Sequence, residues 1–261
     1  PISHGLGPVA QALDIHRGDR MKTLVAMDTK SVVGKLLVEE RTGQPCENFR
    51  NGDHTTTLIR TENGKVIEIQ HDVMTPQPYN RLYQLTGTKG FANKYPIEGY
   101  ALDAKQLNAS GVAPEVDNLN SHSFMPKKDM EALVQKYQHP ILKKYGEMAK
   151  EVGGHGGMDF IMDSRLVYCL QNGLPLDMDV YDLAEWCCLA ELGELSMDNN
   201  CAAVAFPDFT RGEWNKVKGY KHAYASPEDE SVAMEKAKKI TAKLKEKGAV
   251  EWAGEVVENK K

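Results

Sequence analysis

Several absences narrow the field before any motif is read. The chain has no basic excess: 32 Lys and Arg stand against 37 Asp and Glu, for a net charge of −5. A generic nucleic-acid binder is therefore excluded, and no nucleic-acid partner is expected. No apolar run approaches the ~18 residues needed to span a bilayer, so no membrane span is expected. Five cysteines (Cys46, Cys169, Cys187, Cys188, Cys201) show no CxxC spacing, and an odd number cannot all pair. Three of them fall in apolar, helix-like patterns, which predicts buried free thiols rather than a zinc site or disulfide framework. The histidines form no HxxxH or HExxH, so no metal site is expected. No internal repeat and no signal peptide are visible. The chain opens at Pro1, without methionine, and reads as a piece of a longer protein. What remains is ordinary: 261 residues, 41% hydrophobic and 26% charged, enough for one large or two small domains with a real core.

Local patterns supply the elements. Leu6, Val9, Ala10 and Leu13 have the spacing of one helical face, predicting a helix over 6–15 with Pro8 in its first turn. Met21 to Asp28 reads as a strand and Val32 to Glu40 as a second. Asn63-Gly64 between β-branched runs predicts a hairpin over 54–71 with a two-residue turn. That turn would pair Leu58 with Ile69 and Arg60 with Ile67. It would put Leu58, Ile67, Ile69 and His71 on one face, and Thr57, Ile59, Val66, Glu68 and Gln70 on the other. Tyr79 to Gly87 is a further strand, and Gly90-Phe91-Ala92 begins another. The pattern dissolves into a polar excursion over 95–125. Met130 to Val152 reads as helical with a break near His139-Pro140. Two apolar helices follow, Phe160 to Asn172 and Val180 to Asp198, the first ended by Gly173 and the second capped by Asp177 or Asp179. Ala202 to Phe206 is a short strand, Pro207 to Trp214 a loop, and Pro227 to Lys247 a mixed-charge helix. Strands in succession with helices before and after them predict an α+β fold on an open, mainly antiparallel β-sheet, helices on one face. The domain spans 1–225, with a charged helix and tail over 226–261.

The chemistry-bearing candidates are few. Gly153-Gly154-His155-Gly156-Gly157 can bring backbone close to a ligand and delivers His155 to a helix start. Gly5-Leu6-Gly7-Pro8-Val9-Ala10 matches the dinucleotide fingerprint, with Asp28 about 20 residues on. A fingerprint needs a preceding strand, and too few residues precede Gly5; it is rejected as a nucleotide site. His4, just before a helix opened by two glycines, suits general acid–base work. Tyr79 follows Pro76-Gln77-Pro78 and is held stiffly there, able to hydrogen-bond a sugar hydroxyl or to cover the core. His54 and His71 take the default structural reading of hairpin ends. Asp159, Asp163 and Arg165 are read as flanking a helix, Asp159 favoured by the dipole.

Taken together, six segments carry a resemblance. They are Ser3-His4-Gly5-Leu6-Gly7-Pro8-Val9-Ala10; Gln70-His71-Asp72-Val73 with Pro78-Tyr79; and Thr86 to Phe91. They continue with Gly154-His155-Gly156-Gly157-Met158-Asp159-Phe160-Ile161-Met162-Asp163, residues 172–182, and Pro207-Asp208-Phe209-Thr210-Arg211-Gly212. The sequence resembles the C-terminal domain of the glycoside hydrolase family 109 enzymes, NAD-dependent α-N-acetylgalactosaminidases of the wider Gfo/Idh/MocA oxidoreductase superfamily, over nearly all of residues 1 to about 225.

The resemblance implies a two-domain enzyme whose N-terminal Rossmann domain, absent from this chain, binds NAD. Transient oxidation at the sugar C3, elimination at C1, water addition and return of the hydride would hydrolyse a small-molecule glycoside, the cofactor carrying the redox chemistry. His4 matches the histidine of the family's Tyr-Pro-Thr-His-Gly motif, a proton-transfer residue, with Ser3 at its threonine, a shifted proline and no counterpart of its tyrosine. Tyr79 matches a Pro-x-Pro-Tyr tyrosine expected to touch the sugar, and His155 a substrate-orienting position. The isolated chain is expected to be inactive. Other expectations are a homo-oligomer through the open sheet face and a periplasmic or cell-envelope setting. The rival readings are a sugar or inositol oxidoreductase of the same superfamily, and a folded fragment that serves only binding or oligomerisation.

Overall fold

The computed structural model describes residues 2–109, 119–173 and 176–216, with positions 239 and 242. In chain order the elements are α1 (Ile2–Ala12), β1 (Met21–Asp28), α2 (Val33–Thr42), β2 (His54–Thr61), β3 (Val66–Asp72), β4 (Tyr83–Thr86) and β5 (Gly90–Lys94). They continue with β6 (Gly99–Leu102), α3 (Ala104–Ala109), α4 (Lys127–Tyr137), α5 (Pro140–Val152), α6 (Met158–Asn172), α7 (Val180–Asp198) and β7 (Val204–Ala205). The expected helix over 227–247 and tail over 226–261 lie outside the described residues apart from those two positions. The chain forms two compact units, one of residues 1–77 with 176–222, the other of residues 78–175 with 223–261.

The first unit is α+β: an open antiparallel sheet in the order β3-β2-β1-β7, with α1 and α7 on one face. Alternation explains the face. Thr57, Ile59 and Thr61 of β2 and Ile67 of β3 are buried, whereas Leu58 and Val66 are exposed. Leu6 and Ala10 of α1, Met21, Leu24 and Ala26 of β1, Trp186 and Leu189 of α7, and Ile15 and Phe206 from the connections complete the core. Each fully buried large apolar side chain contributes about 1.5–3 kcal/mol.

The hairpin forms, but one residue out of the expected register. Leu58 pairs with Glu68, Ile59 with Ile67 and Thr57 with Ile69, so Thr57 and Ile59, rather than Leu58, share a face with Ile67 and Ile69. The turn is longer than two residues: Thr61 N donates to Lys65 O at 2.9 Å, Gly64 N to Thr61 O at 3.1 Å, and Gly64 has φ +83°. A left-handed glycine closing a three-residue connection adds the residue that shifts the pairing. Buried Asp19 anchors it, accepting from Thr61 Oγ1 at 2.8 Å and Asn63 N at 3.0 Å.

The second correction concerns 32–40, expected as a strand and found as helix α2. Its N-terminal amides are satisfied from a distance: the Asp53 carboxylate accepts from the N–H groups of Val32, Val33 and Gly34 at 2.9, 2.8 and 2.9 Å. Gly43, in the left-handed conformation, closes the other end on Glu39 O. The Gly34 amide holds Asp53 below the usual carboxylate range against the upward push of burial, helped by the other two N–H groups.

In the second unit, β4-β5-β6 form a three-stranded antiparallel sheet. The stretch expected to be irregular over 95–125 supplies the sheet's third strand, β6, and the short helix α3. Asn93 makes this possible by donating through Nδ2 to the carbonyls of Tyr95 and Ile97, tying the connection into a return strand. The break between α4 and α5 falls at the expected place. His139 Nδ1 accepts from Ile141 N at 3.2 Å, and Pro140 opens the new helix. The described helices include none long and apolar enough to cross a membrane. No disulfide joins the five cysteines; Cys169 is buried, Cys187 is exposed, and the other three are half-buried, so burial of all three helical thiols does not hold.

Candidate functional site

The glycine-rich loop owes its composition to its backbone. Five successive residues lie at positive φ: Gly153 (90°), Gly154 (75°), His155 (46°), Gly156 (71°) and Gly157 (98°). Left-handed backbone is unstrained only for glycine, so four of the five positions take it. Gly157 is required for packing as well, since a Cβ there would stand 2.5 Å from the Ala149 carbonyl carbon at the end of α5. His155 is the exception, a side chain held in a conformation that costs on the order of 1 kcal/mol.

Its imidazole is exposed, and Nδ1 lies 2.8 Å from Asp159 Oδ2 in the first turn of α6. Asp159, Gly153 and Gly154 border a groove of about 840 Å³ between α5 and α6, whose walls include Tyr145, Arg165 and Tyr168. Lys144 lies over the Tyr145 ring at 5.1 Å and Arg165 over the Tyr168 ring at 5.6 Å. Aromatic faces with polar groups converging beside them are what a sugar-sized ligand needs.

Tyr79 belongs to the same unit, ahead of β4. It is 72% exposed, with the Arg81 guanidinium 5.5 Å from its ring centroid. The core-covering alternative for Tyr79 therefore fails. It is not among the residues lining the α5–α6 groove.

His4 belongs to the first unit. Rather than preceding the helix, it lies in the first turn of α1 and is exposed. The two glycines after it are inside that helix. Gly7 is buried because a Cβ there would lie 3.3 Å from the Trp186 ring, so the α1 backbone rests almost directly on the indole. Gly5-Leu6-Gly7-Pro8-Val9-Ala10 is thus helix-packing sequence inside α1 rather than a turn leading into a helix, and it does not fit a dinucleotide pyrophosphate.

The first unit also holds a buried ionic group that sequence reasoning passed over. His16, left-handed at φ +64°, places Nε2 2.9 Å from Glu185 Oε2 and Nδ1 3.8 Å from Asp182 Oδ1. Arg17 forks onto both Asp182 oxygens at 2.8 Å. Burial pushes Glu185 up. It pushes Asp182 up as well, but Arg17 and the Asp179 amide outweigh it and hold that carboxyl low. These groups clamp the α1–β1 connection to α7; they line neither the α5–α6 groove nor a second cleft of about 440 Å³ beside Asp28, Asp53 and His71. The partnership of His155 with Asp159 depends on the left-handed loop before α6, where helical i, i+4 spacing does not apply, and that of His16 with Glu185 had no local signal.

A family model described as "Glycosyl hydrolase 109, C-terminal domain" matches residues 2–216. The chain belongs to glycosyl hydrolase family 109. It is 84% identical over 259 residues to glycosyl hydrolase family 109 protein 5 of Phocaeicola vulgatus, covering 99% of this chain and 50% of that protein. It is 66% identical over 247 residues to family 109 protein 3 of the same organism, covering 95% of this chain and 44% of that protein. To a family 109 protein of Porphyromonas gingivalis it is 61% identical over 223 residues, 85% of this chain and 47% of that protein. The chain spans about half the length of the curated relatives it matches. In this family 109 domain the three expected site residues are divided between the units: His4 lies in one, Tyr79 and His155 in the other.

Proposed function

We propose that the whole protein is an NAD-dependent α-N-acetylgalactosaminidase, releasing terminal α-linked N-acetylgalactosamine, and that this chain is its substrate-binding part. The observation that carries this reading is the exposed, carboxylate-held imidazole of His155 beside an aromatic-walled groove, in a chain of a glycosyl hydrolase family. His155 and the Tyr79 hydroxyl are assigned to sugar hydroxyls. His4 is assigned to proton transfer: an exposed imidazole can give or take a proton near neutral pH, which contributes about 10²–10⁴-fold to a rate. NAD and the redox chemistry belong, in this reading, to residues outside this chain. The open sheet face bearing Leu58 and Val66 is assigned to contact with a second copy of the protein.

The test is turnover of an aryl α-N-acetylgalactosaminide by the full-length protein. Free sugar should appear without net NADH, and His4→Ala should lower kcat at least about a hundredfold. Net NADH accumulating with free sugar would favour an oxidoreductase instead. Unchanged turnover in His4→Ala would remove that residue from the chemistry.

A further inference from the structure

We propose that Asp159 is a positioning residue for His155: its carboxylate accepts the Nδ1 proton, fixes the ring and its tautomer, and leaves Nε2 as a hydrogen-bond acceptor for a sugar hydroxyl. The inference rests on the reading of His155 as a substrate-orienting residue and adds the group that makes it one.

Three observations converge on the pair. The first is the contact itself, 2.8 Å from Nδ1 to Oδ2. A carboxylate on one ring nitrogen decides which tautomer the imidazole adopts, and so what the other nitrogen can do. Second, Asp159 is not spent on its own helix. The N-cap of α6 is Gly157, which has no side chain to offer, and the Asp159 carboxylate in the first turn is engaged by the ring. Third, the loop is shaped around that carboxylate. A Cβ on Gly154 would stand 2.9 Å from both Cβ and Oδ2 of Asp159, so any larger residue there would displace it. Asp159 N also donates to Gly154 O at 3.3 Å, tying loop and helix together. His155 is thus constrained at both ends, its backbone by the left-handed loop and its ring by Asp159. Asp159 and Gly154 both border the α5–α6 groove, whereas His155 is not among its lining residues, so it is Asp159 that links the ring to the groove.

The experiment uses the full-length protein with ¹⁵N-labelled histidine. The ring nitrogen shifts of His155 should report an Nδ1–H tautomer in the wild type. Asp159→Ala should move the ring toward Nε2–H, whereas Asp159→Asn, whose side-chain oxygen can still accept, should preserve the wild-type tautomer. On the aryl glycoside, Asp159→Ala should lower kcat/KM about tenfold to a hundredfold, the range for losing one hydrogen bond to a charged group. Asp159→Asn should fall between Asp159→Ala and wild type. In a His155→Ala background, Asp159→Ala should cost less than about threefold, since it would act through an imidazole already gone. An unchanged tautomer in Asp159→Ala overturns the positioning role whatever the enzyme hydrolyses, because the spectrum needs no substrate. A full effect of Asp159→Ala without His155 overturns it too. Wild-type kcat/KM in His155→Ala overturns instead the substrate reading on which the inference rests.

Discussion

Two glycines side by side in the left-handed loop offer a matched pair of perturbations. Gly156 has φ +71° and open space where a Cβ would go. Alanine there meets only the conformational cost of a left-handed residue, about 1–2 kcal/mol. Gly157 has φ +98° and so meets a similar cost, but its Cβ would also lie 2.5 Å from the Ala149 carbonyl carbon and 2.6 Å from its oxygen. These are backbone atoms, and Ala149 is only 1% exposed, so it cannot swing aside. Relief requires the end of α5 and the start of α6 to separate by on the order of 1 Å, losing dispersion contacts along both helices. Overpacking of that kind costs about 1–3 kcal/mol beyond the conformational penalty. Gly157→Ala should therefore destabilise by about 2–5 kcal/mol against about 1–2 for Gly156→Ala. Urea unfolding of the two variants beside the parent chain measures both, provided the slope with denaturant is unchanged. Equal losses within about 0.5 kcal/mol would refute the packing explanation and leave Gly157 a purely conformational glycine.

Two further outcomes follow from buried or hydrogen-bonded charge. Asp72 accepts from the Thr75 hydroxyl and amide and from the Met74 amide, with His54 nearby, which lowers its carboxyl from 3.8 to about 2. A lowered folded-state pKa stabilises above the unfolded value, so the contribution is complete above pH 3.8 and is lost as the pH falls toward 2. Asp72→Asn should flatten the acid limb of a melting-temperature profile in that window, and a limb as steep as the parent's would contradict the assignment. His16→Ala should cost about 1–3 kcal/mol, because it leaves the buried Glu185 carboxyl without its imidazole partner. Glu185→Gln in that background should recover part of the loss; a loss below about 1 kcal/mol in His16→Ala alone would show that the ion pair contributes little.

What could be read from the sequence was local. The helix over 180–198 was legible because Asp179 accepts from the amides of Tyr181 and Asp182 while Asp182 reaches back to Asp179, a reciprocal cap written within four residues. The break at His139-Pro140 and the glycine stop at Gly173 were legible for the same reason. Helix α2 was not, because the carboxylate that satisfies its amides is Asp53, some twenty residues downstream, while Val32 and Val33 suggest a strand. The hairpin existed as expected, but its register depended on whether Gly64 closed a two-residue or a three-residue turn. Asn-Gly alone does not decide that, and one residue exchanges the faces.

The candidate site divides along the same line. Its glycines, and the histidine among them, were visible as composition, and the resemblance to family 109 attached His4, Tyr79 and His155 to a sugar. Asp159 was visible too, but was assigned to the helix dipole because the local rule for an acidic residue in a first turn points there. The structure turns that carboxylate outward to His155 instead, and the reason lies in the loop. With φ at +46°, His155 projects its ring back over the start of α6 rather than away from it. A non-glycine residue in a run of left-handed glycines carries a strain of about 1 kcal/mol, the same order as a charge-assisted hydrogen bond contributes. The two nearly cancel in stability, so the pairing of His155 with Asp159 gives the fold little. What it does give is a fixed ring orientation next to a carboxylate that borders the groove, which is the property the proposed substrate-orienting role requires.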